Sequence, residues 1–278
     1  MKENPWELKK ETVPAGTYYT TNRCRFLLCI SCLLTGYSCG DEADNMLKEG
    51  SLLAPSGACY PGVEDSYTYP VLPGSKEWQT ADDAYTLVQL PDGVLKSIST
   101  LGLIDALVRS PLFSGSFLFS SSTPVDTWHR YYERFNSARE LFKRDNAGHA
   151  LIKYYQAVDF DCIESSAGDE NFRPGFELER IFGLEFLFTR QEILNEIEHR
   201  HKQEPVETLL SRFEQYPERQ RTLIPVAHVM LGDQYPPMVE YYRDHIELYK
   251  RSIGSGYVFS TEQSDLIVSL ANSFIDEK

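Results

Sequence analysis

Hydrophobic side chains recur at helical spacing over most of the chain from Pro91 to the C-terminus. The clearest stretch follows Asn146, where apolar residues stand three or four positions apart, which places them on one face of an α-helix. These residues are Ala147, Ala150, Leu151, Tyr154, Tyr155 and Val158. The pattern predicts an amphipathic helix with Asn146 or Asp145 as its N-cap.

Similar patterns predict the other helices of this region. Ser99 and Thr100 suit the N-cap of a helix at 101–108, and Ser260 with Gln263 resembles a capping box ahead of the last helix. The stretch 176–197 is apolar on most sides, which is typical of a helix in the centre of a domain. Further apolar runs at helical spacing lie at 94–98, 125–141, 205–213, 223–231 and 238–249.

The order of these elements favours an all-α domain over residues 91–278. About eight helices follow one another with short polar loops and no βαβ alternation. Weak alternation from Tyr85 to Leu90 indicates at most one short strand. No strict repeat is visible, so the prediction is an irregular helical bundle or solenoid-like stacked helical hairpins.

The N-terminal region has the pattern of a secretory signal peptide over residues 1–38. Phe26–Leu34 is apolar but too short to span a bilayer. Basic residues precede this run, at Lys9, Lys10, Arg23 and Arg25. Small residues and Cys39 follow it, as at a bacterial lipoprotein processing site. We therefore expect cleavage before Cys39 and a lipid on that cysteine. The alternative is that 26–34 is a buried strand or helix.

Residues 39–90 have the composition of a tether. Gly, Pro, Ser, Asp and Tyr dominate, and Pro55, Pro61, Pro70 and Pro73 interrupt any helix. The expected architecture is thus a signal peptide, a disordered tether and a helical domain.

Removal of the signal peptide reduces the number of cysteines that could form a disulfide. Cys24, Cys29 and Cys32 leave with it, and Cys39 is acylated, so only Cys59 and Cys162 remain. An exported compartment permits a disulfide between them. Two free thiols are the alternative, because Cys59 lies in the predicted tether.

Three stretches resemble a family of uncharacterised secreted or lipid-anchored helical proteins of Bacteroidota-type bacteria. They are LPDGVLKSISTLGLIDALVRSPL (90–112), RFNSARELFKRDNAGHALIKYY (134–155) and ELERIFGLEFLFTRQEILNEI (177–197). Ile98 and Ser137 stand where that family has Met and Gly. Asp41, Glu42 and Asp44 after the cysteine also resemble a surface-export signal of such lipoproteins. The resemblance implies a place at the outer membrane or cell surface and a helical fold, and it implies no activity.

Charge and motifs exclude several kinds of chemistry. A net charge of −14 argues against nucleic-acid binding, which depends on Lys and Arg. HExxH, GxSxG, Walker and GxGxxG motifs are missing from the sequence, so we predict no catalytic residues, no metal site and no cofactor. His199 and His201 are interpreted as a solvated helix end. Asp159, Asp161 and Glu164 would be the ligands if the acidic loop held Ca²⁺, but its spacing favours a solvated loop.

Aromatic side chains are the remaining candidates for a ligand surface. Aromatics line ligand grooves and anchor interfaces, although helical spacing is more typical of a core. The candidates are Trp128, Tyr131, Tyr132, Tyr154 and Tyr155.

Three hypotheses of function follow. The first is a non-catalytic envelope lipoprotein that binds the membrane through its lipid and an unknown protein or other ligand through its helical domain. The second is an envelope hydrolase whose site comes from residues distant in sequence. The third is a structural assembly subunit.

Overall fold

Every regular element in the described part of the chain is a helix, which confirms the all-α prediction. The structure, a computed structural model, describes residues 59–113, 124–165, 174–197, 201–217, 219–251 and 259–277. In chain order the helices are α1 (Lys76–Thr80), a 3₁₀ helix (Ala84–Val88), α2 (Asp92–Ser97), α3 (Thr100–Arg109), α4 (Pro124–Tyr132), α5 (Asn136–Leu141), α6 (Ala147–Gln156), α7 (Phe160–Ser165), α8 (Pro174–Leu187), α9 (Gln191–Asn195), α10 (Gln203–Gln215), a 3₁₀ helix (Gln220–Thr222), α11 (Leu223–Gly232), α12 (Pro236–Arg251) and α13 (Thr261–Asp276).

Local sequence signals account for several of these boundaries. The Ser99 hydroxyl accepts a hydrogen bond from the Gly102 amide at 3.0 Å and starts α3. Ser260 and Gln263 form the predicted capping box at α13. Asn146 is the N-cap residue of α6, as predicted, but its side chain makes no cap hydrogen bond. Its carboxamide oxygen instead accepts a hydrogen bond from the Thr100 hydroxyl at 2.6 Å.

The helix α8 lies in the centre of the core, where it packs against α3, α4, α6 and α7. The sequence predicted one helix from Phe176 to Ile197, and this is wrong at its C-terminal end. The chain leaves the helix after Leu187 and begins α9 at Gln191. The amides of Phe188, Thr189 and Arg190 each bond the carbonyl three residues earlier, a tight turn that ends the α-helical ladder.

The C-terminal helices pack as a second group. The helix α10 contacts both α11 and α13, and α11 also packs against α12 and α13. The short α9 joins the two groups, since it contacts α6 and α11. Contacts between elements as distant in sequence as α3 and α8 are those of an irregular bundle, one of the two predicted architectures.

Residues 59–90 pack against the helices. Tyr60, Tyr69, Trp78 and Val88 are all buried in the same hydrophobic core as the helical domain. The described part of the predicted tether therefore belongs to the core, and residue 91 is not where the packed part of the chain begins. The strand considered at Tyr85–Leu90 is wrong, because residues 84–88 form a 3₁₀ helix that the Asp83 side chain caps through the Tyr85 amide.

Candidate functional site

The five aromatic candidates lie in the core and do not face solvent. Trp128, Tyr131, Tyr132, Tyr154 and Tyr155 are each at most 4% exposed. Trp128 and Tyr132 stack at a centroid distance of 5.7 Å, beneath α8. The interpretation of these residues as ligand-facing is therefore corrected. Their helical spacing marks the buried face of α4 and α6, and the tyrosine hydroxyls are accommodated by buried polar partners.

The two remaining cysteines are joined in a disulfide. Cys59 and Cys162 lie with their Cα atoms 5.4 Å apart and are bonded through their sulfurs. Of the two alternatives that the sequence leaves open, the structure has the paired one. Cys39, the predicted lipid attachment, lies outside the described residues.

The histidine and acidic motifs do not assemble a metal site within the described residues. The His201 ring lies 6.4 Å from that of His149, which is exposed on α6, while His199 is outside the described residues. In the described ranges no three His, Cys, Asp or Glu residues are grouped so that they could hold a metal ion.

In the described part of the acidic loop considered for Ca²⁺, the residues Phe160–Ser165 form the helix α7. The Asp159 carboxylate accepts a hydrogen bond from the Cys162 amide at 2.8 Å, so it caps that helix. The carboxylate of Asp161 accepts a hydrogen bond from the Tyr216 hydroxyl. These two oxygens thus have protein partners.

The most unusual polar feature is a buried cluster around Asp105 on α3. Its carboxylate is fully buried and accepts hydrogen bonds from the Tyr154 hydroxyl at 2.9 Å and the Arg109 Nε at 2.8 Å. Its second oxygen accepts from the Ser66 hydroxyl. Burial, followed by the charge of Asp105, raises the pKa of Tyr154, which keeps its hydroxyl protonated as a donor.

A second buried ion pair lies on α8. The Glu177 carboxylate accepts a hydrogen bond from the Tyr60 hydroxyl at 2.6 Å and lies 3.8 Å from the Arg180 Nε. Arg180 is fully buried and donates to the carbonyls of Val108 and Ser110 at 2.6 and 2.8 Å. It therefore ties the C-terminal end of α3 to the central helix.

Residues 59–69, which we call the strap, cover both clusters. Tyr60 reaches Glu177 and Ser66 reaches Asp105, while the Tyr69 hydroxyl donates to the Ala106 carbonyl at 2.9 Å. Asp65 accepts hydrogen bonds from the amide and hydroxyl of Ser99. The strap is thus held by hydrogen bonds to buried acids and to α3, and by packing of its side chains in the hydrophobic core.

A third buried acid, Glu185, lies further along α8. It is fully buried and accepts from the Tyr155 hydroxyl at 2.7 Å and from the Thr222 hydroxyl at 3.1 Å. Arg219 lies 3.7 Å away and also over the ring of Phe160. Burial raises the pKa of Glu185 above its usual value, and the charge of Arg219 opposes that rise.

Two histidines, His129 on α4 and His228 on α11, have strongly lowered pKa values. Burial, aided by the charges of Arg190 and His228, lowers the pKa of His129 to about 3. Burial lowers that of His228 to about 4, which the charge of Asp126 opposes. Both rings are therefore uncharged at neutral pH.

The His129 contact does not create a nucleophile. Its Nε2 lies 2.7 Å from the Thr189 hydroxyl, and that hydroxyl donates to the Phe186 carbonyl at 2.8 Å. The hydroxyl is therefore the acceptor for His129, which donates through Nε2. A general base would need the opposite arrangement, so this pair holds the α8–α9 turn in place.

Sequence reasoning missed the buried charges as a group. Glu177 is buried, and Glu179 pairs with Arg221 at 3.1 Å. One signal was present, because Asp105 and Glu185 each interrupt an apolar run, LGLIDALV and IFGLEFLF. A lone charge within such a run marks a position whose partner comes from elsewhere.

Comparison of the chain with protein-family models, with curated proteins and with solved structures finds no match. Among the described helices, none combines the length and the apolar character that a membrane crossing needs.

Proposed function

We propose that this protein is an exported helical module of the cell envelope, anchored by a lipid on Cys39, that binds a protein or another ligand through its surface. The observation that carries this proposal is the disulfide between Cys59 and Cys162. Disulfides persist in oxidising compartments and are rare in the cytosol. A paired Cys59–Cys162 therefore agrees with the signal peptide predicted at 1–38 and the lipoprotein-like Cys39.

A binding role rather than catalysis is supported by the state of the buried titratable groups. Asp105 and Glu185 are fully buried, and protein hydroxyls donate to both. A hydrolase would need such a carboxylate open to substrate. This arrangement gives the helical core rigidity and leaves recognition to the outer faces of the helices.

The alternative of an assembly subunit would be favoured by a large exposed apolar patch. Among the described residues, the large apolar side chains with substantial exposure are Leu72, Val239 and Leu266, on three different segments of the chain. We therefore keep the binding module as the proposal.

The test is intact-mass analysis and membrane fractionation of the native protein beside Cys39→Ala. We expect the wild-type chain to start at Cys39, carry acyl mass and partition with membranes, and the variant to lose both. Cys29→Ala is the matched control, because Cys29 lies in the peptide that cleavage removes, so this variant should behave as wild type.

Non-reducing peptide mapping of the same material tests the compartment. We expect a Cys59–Cys162 cross-linked peptide in protein prepared with a thiol-blocking reagent. A chain that is intact from Met1, soluble in the cytoplasm and free of that cross-link would overturn the proposal.

A further inference from the structure

The strap, residues 59–69, contributes Cys59, Tyr60 and Tyr69 to the hydrophobic core and also covers buried polar groups of α3 and α8. Its own buried residues are Cys59, Tyr60 and Tyr69, and the rest of it is exposed or half-buried. Both of those tyrosines end on a polar acceptor, the Glu177 carboxylate and the Ala106 carbonyl. The surface beneath it presents Asp105, Glu177 and Arg180.

Among the described residues, the main-chain hydrogen bonds of this segment are local or reach the N-terminal end of α7. The Ser66 amide bonds the Val63 carbonyl within the strap at 3.2 Å, and the Asp159 amide bonds the Cys59 carbonyl at 2.9 Å. The Ser99 amide donates to the Asp65 side chain. Residues 60–69 form no helix of their own, so their release would break no helical ladder.

The energetics of the covered groups differ from those of an apolar interface. Buried ions lose hydration on burial, and their pairing offsets that loss only in part. Opening the strap returns water to Asp105, Glu177 and Arg180, which partly compensates for the broken hydrogen bonds. An apolar interface has no such compensation, because its exposure to water is unfavourable throughout.

The covalent link is at one end of this segment. Cys59 begins the strap and is 1% exposed, whereas its partner Cys162 lies on α7 and is half-buried. The bond therefore fixes the N-terminal end of the strap to α7.

We propose that the strap is a redox-controlled cover: reduction of the Cys59–Cys162 disulfide by a dithiol releases residues 59–69 and exposes Asp105, Glu177 and Arg180 to solvent, while the helical core stays folded. This inference concerns the disulfide and the strap alone and does not depend on the lipid anchor.

The reduction itself is thiol–disulfide exchange. A thiolate of the dithiol attacks the Sγ of Cys162, the more accessible half of the bond, and forms a mixed disulfide. Cys59 leaves as a thiolate and takes a proton from water. The second thiol of the reductant, as its thiolate, then attacks the reductant's own sulfur in the mixed disulfide and expels the Cys162 thiolate, which is protonated in turn. The reductant becomes a disulfide, and the protein gains two electrons and two protons.

Hydrogen–deuterium exchange of the full chain, oxidised and after treatment with dithiothreitol, tests the proposal. We expect the amides of Ser66, Ser99 and Asp159 to exchange at least tenfold faster after reduction. Peptides from α11 and α13, which pack against each other and against α10, should change by less than twofold.

Two outcomes would overturn the proposal. Loss of protection in every peptide at once would mean that the disulfide supports the whole fold, and unchanged protection at Ser66, Ser99 and Asp159 would mean that the hydrogen bonds alone keep the strap closed. The double variant Cys59→Ser/Cys162→Ser should show the released pattern without reductant and no further change with it. If that variant fails to fold, a time course of reduction on the folded wild-type protein gives the same measurement.

A second variant separates the polar contacts from the covalent link. Tyr60→Phe removes the hydroxyl that donates to Glu177 and leaves the disulfide intact. In the oxidised state its strap should stay protected, within twofold of wild type. On reduction, the strap of this variant should open at least as far as that of wild type. A strap that opens in the oxidised variant would contradict the proposal that the disulfide keeps it closed.

Discussion

At the scale of single residues, buried carboxylates connect segments of this protein that are distant in sequence. Asp105, Glu177 and Glu185 each accept a hydrogen bond from a tyrosine hydroxyl of another segment. Burial raises the pKa of Tyr60, Tyr154 and Tyr155, so these hydroxyls act as donors at any physiological pH. A buried acid without such donors would be strongly destabilising.

Removal of one donor should therefore have a measurable cost. Tyr155→Phe removes the hydroxyl that lies 2.7 Å from Glu185 and leaves the ring in place. We expect the free energy of unfolding in urea to fall by about 1–3 kcal/mol. Tyr67→Phe, at a half-buried tyrosine of the strap, is the control and should change it by less than about 0.5 kcal/mol. Equal stability of Tyr155→Phe and wild type would contradict the assigned bond.

The two half-buried histidines, His129 and His228, predict a dependence of stability on pH. The pKa is lowered from 6.5 to about 3 for His129 and to about 4 for His228. Below pH 6.5 the unfolded chain therefore binds more protons than the folded chain. Stability should then fall as pH falls from 6.5 towards 4, by up to roughly 1.4 kcal/mol per pH unit for each histidine.

Glu185 acts in the opposite direction. The pKa of Glu185 is raised above its ordinary value of 4.5, so above that pH the folded chain holds this proton more tightly than the unfolded chain. The contribution of Glu185 to the stability of the fold therefore falls as pH rises. Urea unfolding from pH 4 to 7 of wild type, His129→Gln and His228→Gln separates the two effects. In each variant the free energy of unfolding should depend less steeply on pH than in wild type. An unchanged dependence in both variants would show that the folded chain does not hold either histidine neutral.

At the scale of elements, the central helix α8 depends on close approach at Gly183. A Cβ at this position would lie 2.5 Å from Cη2 of Trp128 and 2.8 Å from Cε1 of Phe113. The Gly183 carbonyl also accepts a hydrogen bond from the Tyr132 hydroxyl at 2.6 Å. The absence of a side chain thus allows α4 to pack directly on α8.

Gly183→Ala should accordingly destabilise the fold despite the higher helix propensity of alanine. Overpacking of this kind costs about 1–3 kcal/mol, measured as a lower midpoint in thermal or urea unfolding. Gly93→Ala is the matched control, because Gly93 is exposed in α2 and a Cβ there meets nothing within 4 Å. That control should be neutral or stabilising by up to about 1 kcal/mol, and the same response at both glycines would refute the close packing.

At the scale of the whole molecule, the disulfide closes a loop that includes α1 to α6. Its partners are 103 residues apart, and cross-links over loops of this length typically stabilise a protein by about 2–5 kcal/mol through the unfolded chain. We expect the double variant Cys59→Ser/Cys162→Ser to lose stability of that size in urea unfolding. Reductant should lower the stability of the wild type to the level of the variant and leave the variant unchanged. A variant as stable as the oxidised wild type would mean that the cross-link does not constrain the unfolded chain.

Sequence patterns determined the elements whose signals are local. The 3.6-residue period predicted the helices. Ser99 and Ser260 were recognisable as the N-caps of two of them, because capping depends on atoms within one turn. The break at Phe188–Arg190 escaped prediction, since the apolar pattern continues across it. The lipid attachment at Cys39 and the place at the envelope stay predictions from the sequence.

Only the tertiary structure decided which polar residues meet. Ser66 and Asp105 are 39 positions apart, and Tyr60 and Glu177 are 117 apart, so no local pattern joins them. The same holds for the pairing of Cys59 with Cys162 and for the burial of residues 59–90, whose Gly- and Pro-rich composition is typical of a tether. The sequence by itself determined the helical class through local periodicity. The strap, the buried acids and the cross-link follow from packing between distant segments, which such periodicity does not specify.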